Sequence, residues 1–252
     1  MFVYIFLFIS GAAFASFIHL YVTRTLKNES IVMPPSHCTN CNHNLKWYEL
    51  IPVLSYIIQK GKCTKCGYNI GKDSFISEIF LGLLFVIVYI RYGLTYESLL
   101  GFVIASTLLS VCLSDFKEMI ILDSTIITSG ILSYIIIFAE LGIRGVYKSF
   151  LYGVFAFVLF FLIKILGDKI FKRESLGGGD IKLAFIMGSI LPYDLFLVVL
   201  MFASTIALPY AIYISYQKSR RELPFGPFLV IGLLIVFLFK NDIINLLSII
   251  VK

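Results

Sequence analysis

The chain has 252 residues, 59% of them hydrophobic and only 14% charged, with a mean hydropathy of +0.94. That excludes an ordinary soluble domain, which must present a polar surface to water. The net charge of +6 is no nucleic-acid signature in such a chain, because in a membrane protein what matters is which loops carry the lysines and arginines.

Residues 1–22 form the first apolar segment. Ala13-Phe14-Ala15 resembles a signal cleavage site, but no positive charge precedes the apolar run, whereas Arg24 and Lys27 follow it. That polarity predicts a retained first span rather than a cleaved signal. Residues 23–74 are the one sizeable polar stretch, and within them lie Cys38-x-x-Cys41 and Cys63-x-x-Cys66. Two such pairs predict a tetrahedral Zn2+ site whose four thiolates close the coordination shell, so the ion is structural and has no place for a reacting water. His37 and His43 flank the first pair as substitute ligands. Gly67, after the second pair, stands where a turn needs a residue tolerant of positive φ. Cys112 stands alone in a later segment and reads as a packing residue.

Seven more apolar segments follow, at 75–92, 99–114, 120–141, 146–166, 177–191, 194–216 and 227–251. The sixth of the eight is short, and the eighth is interrupted by Lys240, Asn241 and Asp242. A helix of ~20 residues crosses a hydrocarbon core of ~30 Å, so eight spans are expected. When the connections are taken alternately, one set carries sixteen of the 21 lysines and arginines, including Arg24, Lys46, Lys62, Lys117, Arg173, Lys182, Lys218, Arg220 and Arg221. The other set carries Arg91, Arg144, Lys148, Lys240 and Lys252. The positive-inside rule places 23–74 in the cytoplasm and both termini outside. Disulfides between the four cysteines are disfavoured in that reducing compartment. The expected organisation is a first transmembrane helix at 1–22, a cytoplasmic zinc-binding segment with four cysteine ligands at 23–74 and a seven-helix membrane core at 75–252: an all-α integral membrane protein.

Ionisable residues near spans are costly and point to function. Asp115 closes the third segment and Asp180 opens the sixth, in Gly177-Gly178-Gly179-Asp180-Ile181-Lys182-Leu183. The topology puts both at the cytoplasmic face. Two neighbouring carboxylates hold one proton between them, so one can deprotonate water while the other donates to a scissile carbonyl. The three glycines leave room for another backbone. The bland reading is two interfacial acids and a turn. Asp123 is a rival partner for Asp180. Glu78 reads as an acid at a helix start, and His19 as a packing residue.

These elements together resemble the type IV prepilin peptidase family. The stretch from Ala15-Ser16-Phe17-Ile18-His19 to Arg24 is similar to that family's first motif, with Ala15 and His19 in place of Gly and Asn. Ser36, the two cysteine pairs, Trp47-Tyr48-Glu49-Leu50-Ile51-Pro52, Ile121-Leu122-Asp123 and Leu223-Pro224-Phe225-Gly226-Pro227-Phe228 continue the match. The resemblance implies a bacterial inner-membrane aspartic endopeptidase with Asp115 and Asp180 as its catalytic pair. It implies prepilin, pseudopilin or competence-pilin substrates, each a short leader followed by an apolar helix in the lipid bilayer. It also implies cleavage after a glycine, followed by methylation of the new N-terminus with S-adenosylmethionine. The competing expectations are an intramembrane protease with other substrates and a proton- or ion-coupled transporter.

Overall fold

The computed structural model describes residues 1–172, 175–216 and 223–250, with the side chains of Phe171 and Ile250 left out. Arg173, Lys218, Arg220, Arg221 and Lys252 of the charge count, and Val251, lie outside the described residues. Regular structure there is helical apart from two isolated β-bridges. The chain divides into two compact units, Met1–Ile90 and Arg91–Lys252.

The first unit begins with α1 (Phe2–Leu26), continues through a 3-10 turn (Trp47–Glu49) and α2 (Leu54–Ile58), and ends within α3 (Asp73–Tyr92), whose last two residues, Arg91 and Tyr92, belong to the second unit. α1 and α3 are apolar and at least 20 residues long. They meet where both lack side chains. A Cβ on Gly11 would come within 2.8 Å of the Leu81 carbonyl oxygen, and one on Gly82 within 2.8 Å of the Phe8 ring. Close backbone approach at small residues is how helices associate where lipid offers no hydrophobic drive.

The second unit holds α4 (Tyr96–Glu118), α5 (Asp123–Phe171), α6 (Gly178–Ile190), α7 (Tyr193–Tyr216), α8 (Gly226–Leu238) and α9 (Lys240–Ile250). A continuous helix as long as α5 would measure about 70 Å at 1.5 Å per residue, more than twice a hydrocarbon core. Gly142 breaks it with φ 63° and ψ −164°, at the boundary expected between the fourth and fifth segments. α6 packs on α5 through Gly188, where a Cβ would lie 2.5 Å from the Ala156 Cβ. α8 is the most deeply enclosed helix, with Leu229, Val230 and Val236 wholly buried.

α8 and α9 bend by 77°, at the polar interruption noted in the last apolar segment. A broken helix frees carbonyls that must be satisfied where water is scarce. Here the Arg91 guanidinium donates to the Leu238 carbonyl at 2.8 Å and the Tyr92 hydroxyl to that of Phe237. Arg91 also pairs with Asp242, and Lys240 with Glu97.

Among the described residues five helices are long and apolar enough to cross a membrane, or six if the bent pair counts as one. The chain is a multi-pass membrane protein. The eight expected segments exceed six for two reasons: α5 contains two of them, and α6, with 13 residues, spans only about 20 Å.

Candidate active site and cysteine cluster

Asp115 occupies the last turn of α4 and is 5% exposed. α4 stops just beyond it, at Met119, in the left-handed region (φ 55°). Asp115 Oδ2 accepts the Gly226 N–H at 3.1 Å. That donor is the first N–H of α8, one of the groups a helix start leaves without an internal partner. Pro227 follows it, with a fixed φ that suits a first turn. Asp115 therefore caps a helix other than its own, and the positive end of that helix favours the carboxylate.

Asp180 lies in the first turn of α6. The Gly177 backbone is its hydrogen-bond partner, and its charge interacts with that of Asp115. Its Oδ1 is buried and has no hydrogen-bond partner among the described residues. The fold thus brings together two carboxylates 65 residues apart in the chain and leaves one oxygen of the pair without a donor among those residues. Such an atom is costly unless a proton, a water or a substrate meets it.

Ile121 joins the two sides. A Cβ on Gly226 would lie 2.8 Å from the Ile121 Cδ1 and 2.9 Å from Asp115 Oδ2, and one on Gly179 would lie 3.1 Å from the Ile121 Cβ. The three glycines before Asp180 differ. A Cβ on Gly179 would face Ile121, one on Gly177 would lie 3.2 Å from Asp180 Oδ2, and one on Gly178 would meet nothing within 4 Å.

Asp123, the rival partner, is engaged elsewhere: it accepts from Lys182 Nζ at 2.7 Å, with both side chains more than half exposed. Cys112 is a free thiol inside α4. His19 lies partly buried in α1.

The four cysteines converge. Their sulfur atoms all lie within 4.8 Å of one another, with Cys38 3.8 Å from Cys66 and Cys41 3.9 Å from Cys63. A tetrahedral ion with Zn–S bonds of ~2.3 Å needs S···S separations of about 3.8 Å, so the cluster fits Zn2+. Two copies of one hairpin supply it. In the first, Cys38 donates to the His43 carbonyl, Asn42 to that of Cys38 and Leu45 to that of Ser36. In the second, Cys63, Gly67 and Ile70 repeat those bonds to Tyr68, Cys63 and Gly61. Asn42 (φ 53°) and Gly67 (φ 70°) hold the same left-handed position, which bears out the turn expected at Gly67. The repeat is legible in the sequence as Cys-Thr-x-Cys-x-x-Asn recurring at a spacing of 25. Backbone N–H groups of Cys41 and Asn40 bring the Cys38 thiol down to about 6, toward the thiolate a metal needs.

Neither histidine joins the cluster. His37 Nδ1 pairs with the Pro35 carbonyl, and His43 Nε2 lies 3.4 Å from Glu49 Oε2. Glu49, which the sequence reading did not single out, is 6% exposed. It accepts the Lys46 N–H at 2.8 Å and the Thr64 hydroxyl, and these hold its carboxyl below the usual range against the effect of burial. It thereby ties both hairpins and their linker together. Partners behind metal ligands typically change metal affinity about 10–100-fold when removed. Glu49→Ala should weaken zinc retention by that order in a chelator competition, while Cys38→Ser should abolish retention of one zinc per chain. Unchanged affinity in Glu49→Ala would show that the hairpins hold themselves.

Glu78 is more than an acid at a helix start. It accepts the Val53 N–H at 2.7 Å and the Ser74 hydroxyl at 3.0 Å. Val53 has φ 64° and ψ −52°, a region that β-branched residues avoid, and Leu54 N–H closes the turn onto the Pro52 carbonyl at 2.7 Å. Nothing in single-sequence patterning signals such a contact.

Residues 9–92 match the bacterial peptidase A24 N-terminal domain family, and residues 102–212 match the type IV leader peptidase family. A prepilin leader peptidase/N-methyltransferase of Myxococcus xanthus is 34% identical over 200 residues, covering 79% of this chain and 59% of that protein. The protein of the same name in Bacillus subtilis is 29% identical over 242 residues, 95% of each chain. That of Vibrio cholerae is 28% identical over 207 residues, 80% of each. This chain thus spans about three-fifths of the Myxococcus relative and nearly all of the Bacillus one. No solved structure matches the chain.

Proposed function

The chain belongs to the type IV leader peptidase family, and from that premise we propose that it is a membrane endopeptidase that removes the leader of type IV prepilins or pilin-like proteins. Asp115 and Asp180 are its catalytic pair. The observation that carries this reading is that Ile121 adjoins both Gly226, whose N–H is held by Asp115, and Gly179, next to Asp180, with Asp180 Oδ1 buried and unpartnered among the described residues. The pair shares one proton. The ionised carboxylate takes a proton from water, the protonated one donates to the scissile carbonyl oxygen, and the hydroxide adds to the carbonyl carbon. Collapse of that adduct frees the leader's carboxylate and passes a proton to the new N-terminal amine.

The methyltransferase half of the relatives' names supports a second activity, methylation of that new amine with S-adenosylmethionine as co-substrate. Zn2+ is held by Cys38, Cys41, Cys63 and Cys66, where it crosslinks the two hairpins and polarises no substrate, because the sulfurs fill its coordination shell. Eight spans, with α5 counted as two and α6 as one, place residues 23–74 and both aspartates at the cytoplasmic face of the bacterial inner membrane. Both termini lie outside, and residues 75–252 form the seven-span core. The substrate's leader then approaches from the cytoplasm while its apolar helix stays in the bilayer.

The test is incubation of the reconstituted chain with a prepilin, with and without S-adenosylmethionine, followed by mass analysis of the product's N-terminus. Loss of the leader after its terminal glycine is expected in both samples, with one added methyl only where the donor is present. An intact prepilin would overturn the peptidase reading, and ion-driven uptake by the same preparation would favour a transporter.

A further inference from the structure

The segment between α1 and α3 turns its sides the wrong way round for a loop in water. Glu49 is buried at 6% exposure, whereas Trp47 two residues earlier is 77% exposed. On α2, Leu54, Ile57 and Ile58 are 55%, 57% and 78% exposed. Their i, i+3, i+4 spacing puts them on one helix face. The acid thus points into the hairpins, while large apolar side chains point out.

Two contacts fix where that apolar face lies. Tyr56 of α2 stacks on Phe75 of α3, with ring centroids 4.5 Å apart and planes at 20°. The Val53 N–H, at the start of α2, is held by Glu78 of α3 at 2.7 Å. α2 is therefore bound to the first two turns of a helix long and apolar enough to cross the bilayer, at the depth where such a helix enters the headgroups. Charge completes the pattern. Residues 46–72 contain five lysines, all exposed, and a single acid, the buried Glu49. Apolar and aromatic side chains beside lysines characterise segments that lie in an anionic membrane interface, and tryptophan favours that depth because one edge of its ring is apolar and the other polar.

We infer that residues 47–58 form an interfacial anchor, with the exposed face of α2 and Trp47 seated among the headgroups of the anionic leaflet that α1 and α3 span. The anchor holds the cysteine hairpins against the membrane surface rather than leaving them on a free tether.

Trp47 is the sole tryptophan of the chain, so its fluorescence reports on this segment directly. The full chain is reconstituted in bilayer discs of phosphatidylglycerol or of phosphatidylcholine, with bromine placed either near the headgroup or deep in the acyl chains. Shallow bromines should quench Trp47 at least about twofold, deep ones less, and the effect should be larger in phosphatidylglycerol. Ile58→Glu, with its zinc content measured as a check on folding, should reduce the quenching. If that variant does not fold, the wild-type depth and lipid dependence still decide. Absence of quenching by bromolipid overturns the inference in either of two ways: access of aqueous acrylamide would place Trp47 in water, and protection from both quenchers would place it against protein. Equal quenching in the two lipids would overturn the role of the lysines.

Discussion

Asp180→Asn should lower prepilin cleavage by about 10²- to 10⁴-fold, the range one positioned acid–base group contributes, and Asp115→Asn should do the same. The two positions should nevertheless differ in stability. Asp115 Oδ2 satisfies the Gly226 N–H inside the protein, so Asp115→Ala strands a buried donor at a cost of roughly 1–3 kcal/mol. Asp180 Oδ1 has no such partner among the described residues, and Asp180's one backbone partner, Gly177, is exposed so that water can replace the lost bond; Asp180→Ala should therefore cost less stability than Asp115→Ala. Thermal unfolding in detergent, measured beside mass analysis of cleaved prepilin, separates the two effects. Near-normal cleavage by either Asn variant would sink the assignment of the pair, and equal destabilisation by the two Ala variants would show that the capping of α8 by Asp115 is worth little.

Gly226→Ala is the second large effect. Its Cβ would stand 2.9 Å from Asp115 Oδ2 and 2.8 Å from the Ile121 Cδ1, so the carboxylate or the half-buried Ile121 side chain has to move. Displacement of a reacting group by ~1 Å costs on the order of 10²-fold, and that is the expected loss of cleavage rate. The glycines before Asp180 supply graded controls. Gly179→Ala comes no nearer than 3.1 Å to its first neighbour, Ile121, and should cost less, while Gly178→Ala meets nothing within 4 Å and should leave the rate unchanged. Ile121→Val deletes the Cδ1 atom that Gly226→Ala would strike and should restore part of the lost activity in the double variant. A failure of this ordering would mean that α8 adjusts freely around Asp115, and that Gly226 acts in some other way.

The short motif around Gly226 shows how a sequence signal and its physical meaning can separate. Pro224-Phe225-Gly226-Pro227 was visible as an element of the family resemblance, but nothing in it names Asp115 as its partner. The glycine is needed because another helix ends against it, and the proline because a first helical turn has no use for its missing N–H. Asp123 makes the converse case. Its distance from Asp180 along the chain was compatible with a dyad, and only the structure shows its exposed carboxylate paired with Lys182. Glu78 was legible as a single acid and Glu49 only as part of a longer motif, yet each ties a nearby donor (the Ser74 hydroxyl, the Lys46 N–H) to one farther along the chain (the Val53 N–H, the Thr64 hydroxyl).

By itself the sequence determined what depends on composition and short spacing. Apolar runs long enough for a bilayer dictate a helical membrane protein. Two Cys-x-x-Cys pairs dictate a four-sulfur cluster, and a carboxylate at the edge of an apolar run marks a candidate site. Tertiary structure decided everything set by how helices rotate and cross: which glycine faces Asp115, which donors Glu49 and Glu78 hold, and which oxygen of Asp180 stays without a donor among the described residues. The reason is geometric. A motif constrains atoms within a turn or two of one helix, whereas contacts across 65 or 111 residues of chain depend on packing that no local pattern encodes.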